Sequence, residues 1–169
     1  MVQTHFARPM KVIDAMGLNI ADLAISTPAF APLGAIPDTH AYDDKNVSPQ
    51  LEWTGVPEGT RELAVICHDP DAPLPDGFTH WVVYGIPPSE QGIPEGGGSA
   101  FTEGVNDFGE SGYGGPAPPP GHGDHHYYFW VYALDTELGA DPGLSRRELL
   151  DAMGDHIIEQ NRVVGIYQR

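Results

Sequence analysis

Val65-Ile66-Cys67-His68-Asp69-Pro70-Asp71-Ala72-Pro73, followed a few residues on by Thr79-His80-Trp81-Val82-Val83-Tyr84, decides how this chain folds. Ala64 to Cys67 form an unbroken apolar run with β-branched members, the pattern of a strand buried on both faces. The run leads directly into two carboxylates separated by a proline. Pro70 keeps Asp69 out of the helical region, so the exit stays extended, and extended spacing sets Asp69 and Asp71 on roughly one side. His80 opens a second apolar strand whose end can converge on the first. Two acids and a histidine at one mouth predict a pocket.

Outward from this centre the chain reads as short strands separated by turns. Leu23 to Phe30 predicts a strand stopped by Pro32 and Gly34, and Leu51 and Trp53 alternate with polar neighbours as in a half-buried strand. Residues 36–47 read as a solvated turn: Asp43, Asp44 and Asn46 cluster there without the central glycine and closing glutamate of a calcium loop. Pro87-Pro88 ends the His80 strand. Residues 104–123 are rich in glycine and proline, and a loop of that length is either functional or a stiffened connector. His125 to Leu134 predicts a long aromatic strand, with His125, Tyr127, Phe129 and Val131 on one face and His126, Tyr128, Trp130 and Tyr132 on the other. Ser145 and Glu148 form a capping box ahead of Leu149, Leu150, Met153, Ile157 and Ile158, predicting an amphipathic helix to about residue 160. Val163 to Tyr167 reads as a short closing strand. Residues 1–20 read as an irregular arm or a short helix.

The chain has 169 residues, with 21 glycines and 17 prolines scattered among the apolar runs. That suits a single domain over residues 1–169, all-β and rich in turns. Its 24 acids against 8 bases leave a formal charge of −16, which repels phosphate backbones and argues against nucleic acid as a partner. Lys11 and Lys45 are its only lysines, so no polybasic membrane patch forms. Cys67 is the single cysteine; it excludes an internal disulfide and reads as a small buried hydrophobe. No apolar run is long enough to span a bilayer or form a leader, so the expected compartment is the cytoplasm.

Several motifs together resemble the phosphatidylethanolamine-binding protein family, in its bacterial Raf-kinase-inhibitor-like branch. They are Asn46-Val47-Ser48-Pro49 with Leu51 and Trp53; Asp69-Pro70-Asp71-Ala72-Pro73 with Thr79-His80-Trp81; Gly112-Tyr113-Gly114-Gly115-Pro116-Ala117-Pro118-Pro119 with His125 and Tyr127; and the C-terminal Tyr132-Ala133-Leu134-Asp135, Ala152 to His156 and Gly165-Ile166-Tyr167. The resemblance spans about Leu23 to Arg169. It implies an antiparallel β-sandwich with one C-terminal amphipathic helix and short peripheral helices. It also implies a small pocket for phosphate-like anions lined by Asp69, Asp71, His80, Gly114, Gly115, Pro116, His125 and Tyr127. His126 stands where the family commonly has arginine, and period two turns it away from the pocket. The long C-terminal helix of animal members has no counterpart, which weakens any kinase-inhibitor role tied to it.

The function expected is non-catalytic binding of a small anionic or phosphorylated ligand, without a cofactor, with regulation of a kinase or protease through protein contact as a further expectation. Bacterial relatives tend to pair, so a homodimer is expected. The alternative is a metal-dependent hydrolase using Asp69, Asp71, His80 and His125. Each residue also has a plain structural reading: aspartates beside prolines form turns, and a lone histidine is more often a hydrogen-bonded core residue. Two finer expectations follow from the anion reading. A cis Asp69–Pro70 bond would bring both carboxylates to one mouth, and an aspartate bound to His80 or His125 would raise the histidine pKa so that the ring and the Gly114 and Gly115 amides face the anion.

Overall fold

A computed structural model describes residues 21–169; the expected N-terminal arm, with His5, lies outside the described residues. In chain order come β1 (Ala24–Ser26), β2 (Leu51–Thr54), β3 (Glu62–Asp69), β4 (Phe78–Ile86), β5 (Gly92–Ile93), β6 (Thr102–Glu103), β7 (His125–Leu134), the helix α1 (Arg146–Met153) and β8 (Ile157–Tyr167). Two short helical turns, Asp38–His40 and Gly98–Ala100, sit between strands. The strands make two antiparallel sheets, ordered β1-β2-β5 and β6-β4-β3-β7-β8. This is the β-sandwich that the turn-rich sequence predicts.

β3 is central to the larger sheet and all of its residues are buried. Its alternation divides two cores. Leu63, Val65 and Cys67 point between the sheets, where they meet Leu51, Trp53, Trp81, Phe129 and Val131. Ala64 and Ile66 point the other way, toward Val82, Tyr84, Tyr132, Leu149 and Met153 beneath α1. Asp69 follows Cys67 by two residues, so the same periodicity carries its carboxylate to the inner face at the sheet's end.

β4 breaks that alternation where it matters. Cys67 pairs with Trp81 but His68 pairs with Thr79, so His80 is the extra residue of a β-bulge. A bulge re-aims the side chain it inserts. His80 therefore turns inward beside Trp81, and its ring centroid lies 5.1 Å from that of Tyr127.

Two elements differ from expectation. α1 ends at Met153, and Ile157 and Ile158 belong to β8. Gly154 is a poor helix former, Ile157 and Ile158 are β-branched, and the free edge of β7 offers a full ladder from His125 to Leu134, so the strand wins. The predicted strand from Leu23 to Phe30 contracts to Ala24–Ser26. Pro28 has no N–H to give, and the Thr27 hydroxyl donates to the Gln50 carbonyl while accepting the Ala29 N–H, which bends the chain away.

Candidate functional site

At the mouth formed by the ends of β3, β4 and β7 lies a cavity of about 220 Å³. Asp69, His80, His125 and Tyr127 supply its polar groups; Ala72, Pro73, Leu74, Phe78, Phe108, Ala117, Pro118 and Pro119 supply apolar walls. Strand alternation explains the floor, since His125 and Tyr127 are buried residues two apart on β7. The walls come from the two proline-rich stretches that the sequence leaves as turn and loop.

Asp69 is only 2 % exposed, and both its oxygens are used. Oδ1 accepts the Asp71 N–H at 2.7 Å, and Oδ2 accepts Nδ1–H of the buried His125 at 2.6 Å. The other ring nitrogen of His125 bonds Nδ1 of His122 at 2.8 Å. The carboxylate–imidazole–imidazole chain thus runs from the sheet's end to the exposed Gly121–Gly123 turn.

Asp71 leaves the cavity. Its Oδ2 accepts from the His126 backbone N–H at 2.8 Å and from the His126 ring at 2.7 Å. Burial alone would raise the Asp71 pKa, but those hydrogen bonds, with the charge of His126 and His125, hold it below the ordinary carboxylate value. The Asp69–Pro70 bond is trans, contrary to expectation. A cis turn is unnecessary because the two carboxylates do not share a mouth: Asp69 closes a side-chain turn onto the Asp71 amide, which sends Asp71 outward to β7.

His80 also departs from expectation. Its Nδ1 lies 2.6 Å from the Gly114 carbonyl, which only accepts, so Nδ1 carries the proton. Burial pushes the ring pKa down to about 4, outweighing the opposing pull of the Gly114 carbonyl and the Asp69 charge. The ring is neutral at physiological pH and its Nε2 keeps a lone pair. The Tyr127 hydroxyl stays protonated, because burial first and Asp69 second push its pKa well up.

The glycine amides expected to face an anion are spent within the protein. The Gly114 N–H donates to the His80 carbonyl at 2.9 Å, and the Gly115 N–H to the Asn46 side chain at 2.7 Å. The Pro116 carbonyl accepts the Tyr42 N–H. These three residues fasten the wall and do not line the cavity. Asn46, at φ 54, holds a left-handed conformation that aims its side chain at Gly115. Behind the wall, Asn106 organises the loop: Oδ1 accepts the Phe108 and Glu110 N–H groups and Nδ2 donates to the Gly112 carbonyl.

Sequence reading missed Leu74, Phe78, Phe108 and the Ala117–Pro119 segment as lining, and His122 as a partner of His125. Phe108 and the prolines lie inside the Gly/Pro-rich loop, so loop length was the available signal; nothing marked Leu74. Among the described residues, no group of three His, Cys, Asp or Glu side chains is placed to hold a metal ion. No helix among the described residues is long and apolar enough to cross a membrane.

The chain is 42% identical to a UPF0098 protein of Methanothermobacter thermautotrophicus, over 86% of this chain and 98% of that protein. It is 46% identical to the UPF0098 protein YbhB of Escherichia coli, over 62% and 70% respectively. Among solved structures, Escherichia coli YbcL, described as a new member of the mammalian PEBP family, superposes with a TM-score of 0.83 at 32% identity, covering 88% of this chain and 99% of that one. The PEBP homologue CT736 of Chlamydia trachomatis gives a TM-score of 0.82 at 34% identity with the same coverage. A phosphatidylethanolamine-binding protein of Plasmodium vivax shares the fold at 15% identity, with a TM-score of 0.58 over 87% of this chain and 86% of its own. The family model for phosphatidylethanolamine-binding protein matches residues 26–168, and the chain belongs to that family.

Proposed function

We propose that the protein is a non-catalytic binder of a small molecule whose polar end brings its own proton, such as a singly protonated phosphate monoester, on a short apolar stem. The observation that carries this is the hydrogen bond from His80 Nδ1 to the Gly114 carbonyl, which leaves a neutral ring and an accepting Nε2. The cavity residues include no lysine or arginine, and both ring nitrogens of His125 are taken by Asp69 and His122, so a bare anion finds no free side-chain cation there. A phosphate that keeps one P–OH donates it to His80 and accepts from the Tyr127 hydroxyl, and its stem lies against Phe78, Phe108 and the prolines. The absence of turnover is supported by the engagement of Asp69 and His125, whose polar atoms all have protein partners. The hydrolase alternative is disfavoured because Asp71 binds His126 and not the cavity.

Calorimetric titration with phenyl phosphate and with its methyl ester separates this reading from simple anion binding. The second ionisation of a phosphomonoester lies near pH 6, so the competent monoanion falls about tenfold per pH unit above it. Affinity for phenyl phosphate is expected to drop about tenfold between pH 7 and 8. The diester has no proton to offer. It should bind more weakly at pH 7 and gain as pH falls toward the His80 pKa of about 4. Tyr127→Phe should weaken the monoester by about tenfold or more, the worth of a hydrogen bond to a charged group. Equal binding of the two esters, flat between pH 6 and 8, overturns the reading.

A further inference from the structure

A second cleft, of about 330 Å³, takes Gly112 and Tyr113 into its lining and shares no lining residue with the first cavity. Lys45 and Glu103 both line it, and they are not paired with each other. Lys45 is the only lysine among the described residues and its ammonium has no ion-pair partner there. Glu103 is held firmly. Its Oε2 accepts the Trp81 indole N–H at 2.8 Å, and the backbone at Gly98 comes so close that a Cβ there would lie 2.7 Å from that oxygen. Its Oε1 has no hydrogen-bond partner among the described residues.

A third group points to a ligand. Ser48 lines the same cleft and is 4 % exposed, and its hydroxyl makes no hydrogen bond among the described residues. It is not a buried orphan, so it opens onto the cleft, where a ligand can reach it. A cleft with an unpaired cation, a fixed carboxylate with one free oxygen and an open hydroxyl that no protein group engages matches a molecule that carries both charges.

We propose that this cleft is a second ligand site, taking a small amino-carboxylate zwitterion such as a free amino acid or dipeptide. Its carboxylate meets Lys45, its ammonium meets Glu103 Oε1, and the Ser48 hydroxyl bonds whichever end passes over it. The net charge of −16 works against a simple anion and draws in a simple cation, so the choice between cation and zwitterion rests on the cleft itself. A simple cation can pair with Glu103 but leaves Lys45 without a partner and close to a like charge. A zwitterion has no net charge for the long-range field to act on.

The test is calorimetry on the full chain with L-alanine and glycylglycine, whose charges are near and far apart, against propionate and propylamine, which carry one charge each. At least one zwitterion should bind saturably, and the single-charge probes should bind at least about tenfold more weakly. Lys45→Met, at an exposed side chain, should weaken the zwitterion by about tenfold. Glu103→Gln, which keeps an acceptor for Trp81, should do the same, whereas Tyr127→Phe in the first cavity should change nothing. The proposal is overturned if neither zwitterion binds, if propionate or propylamine binds as well, or if Lys45→Met leaves the affinity unchanged.

Discussion

Glu62 carries the one buried side-chain oxygen among the described residues that has no hydrogen-bond partner. Its other oxygen accepts the Leu138 N–H at 3.1 Å. Burial raises its pKa, against the pull of the Leu138 and Gly85 backbone, with Glu137 adding to the rise. A carboxyl raised on folding stabilises the protein below its unfolded value of about 4.3 and loses that contribution as pH rises through the folded value. The wild type should therefore lose stability relative to Glu62→Gln between about pH 4 and neutrality, read from urea midpoints of both proteins across that range. Parallel curves would show that the buried oxygen is satisfied some other way. Residues with an unambiguous strand parity were legible from the sequence: Asp69, His125 and Tyr127 sit on the cavity face that period two gives them. His80 reached the cavity by a different route, through a bulge that alternation cannot express. The Gly114 and Gly115 amides were misread because a glycine-rich loop shows freedom to donate, and only tertiary structure shows that His80 and Asn46 have taken both donors.

At the scale of elements, long runs with one period were readable, and boundaries between two periods were not. β7 matches its sequence reading from His125 to Leu134, since both faces are apolar and no breaker interrupts it. α1 and β8 share a stretch in which helical spacing and β-branching both hold, and pairing with β7 decides between them. The start of α1 was clear because its signal is local. Ser145 Oγ accepts the Glu148 N–H at 3.2 Å, and Glu148 Oε1 accepts the Ser145 N–H at 3.1 Å. Ser145→Ala should cost about 1 kcal/mol by denaturant titration, the usual worth of such a cap. A loss below a few tenths would mean that burial of Leu149 and Met153 alone holds the helix. The loop over residues 104–123 was invisible as structure because its order comes from side chains, above all Asn106, and no periodic pattern records that.

For the whole molecule, charge is the dominant fact. At −16, any pairing of two copies brings like charges together. The homodimer expected from the family likeness should therefore depend on screening: sedimentation at micromolar protein should show dimer near 0.15 M salt, where the Debye length is about 8 Å, and a shift toward monomer at 0.01 M, where it is about 30 Å. Monomer at both concentrations removes the claim. Where two copies could join is narrowed by the long edge strand β8. Its outer edge is not bare: the Leu33 N–H donates to the Val164 carbonyl, the Ile36 N–H to the Ile166 carbonyl, and the Ile166 N–H to the Gly34 carbonyl. Further along, Leu23 is clamped by the side chains of Glu159 and Asn161. A row of open amides is the template on which fibrils and strand-swapped polymers grow. Here the chain's own preceding segment occupies that template, so strand addition along β8 would first require residues 33–36 to peel away.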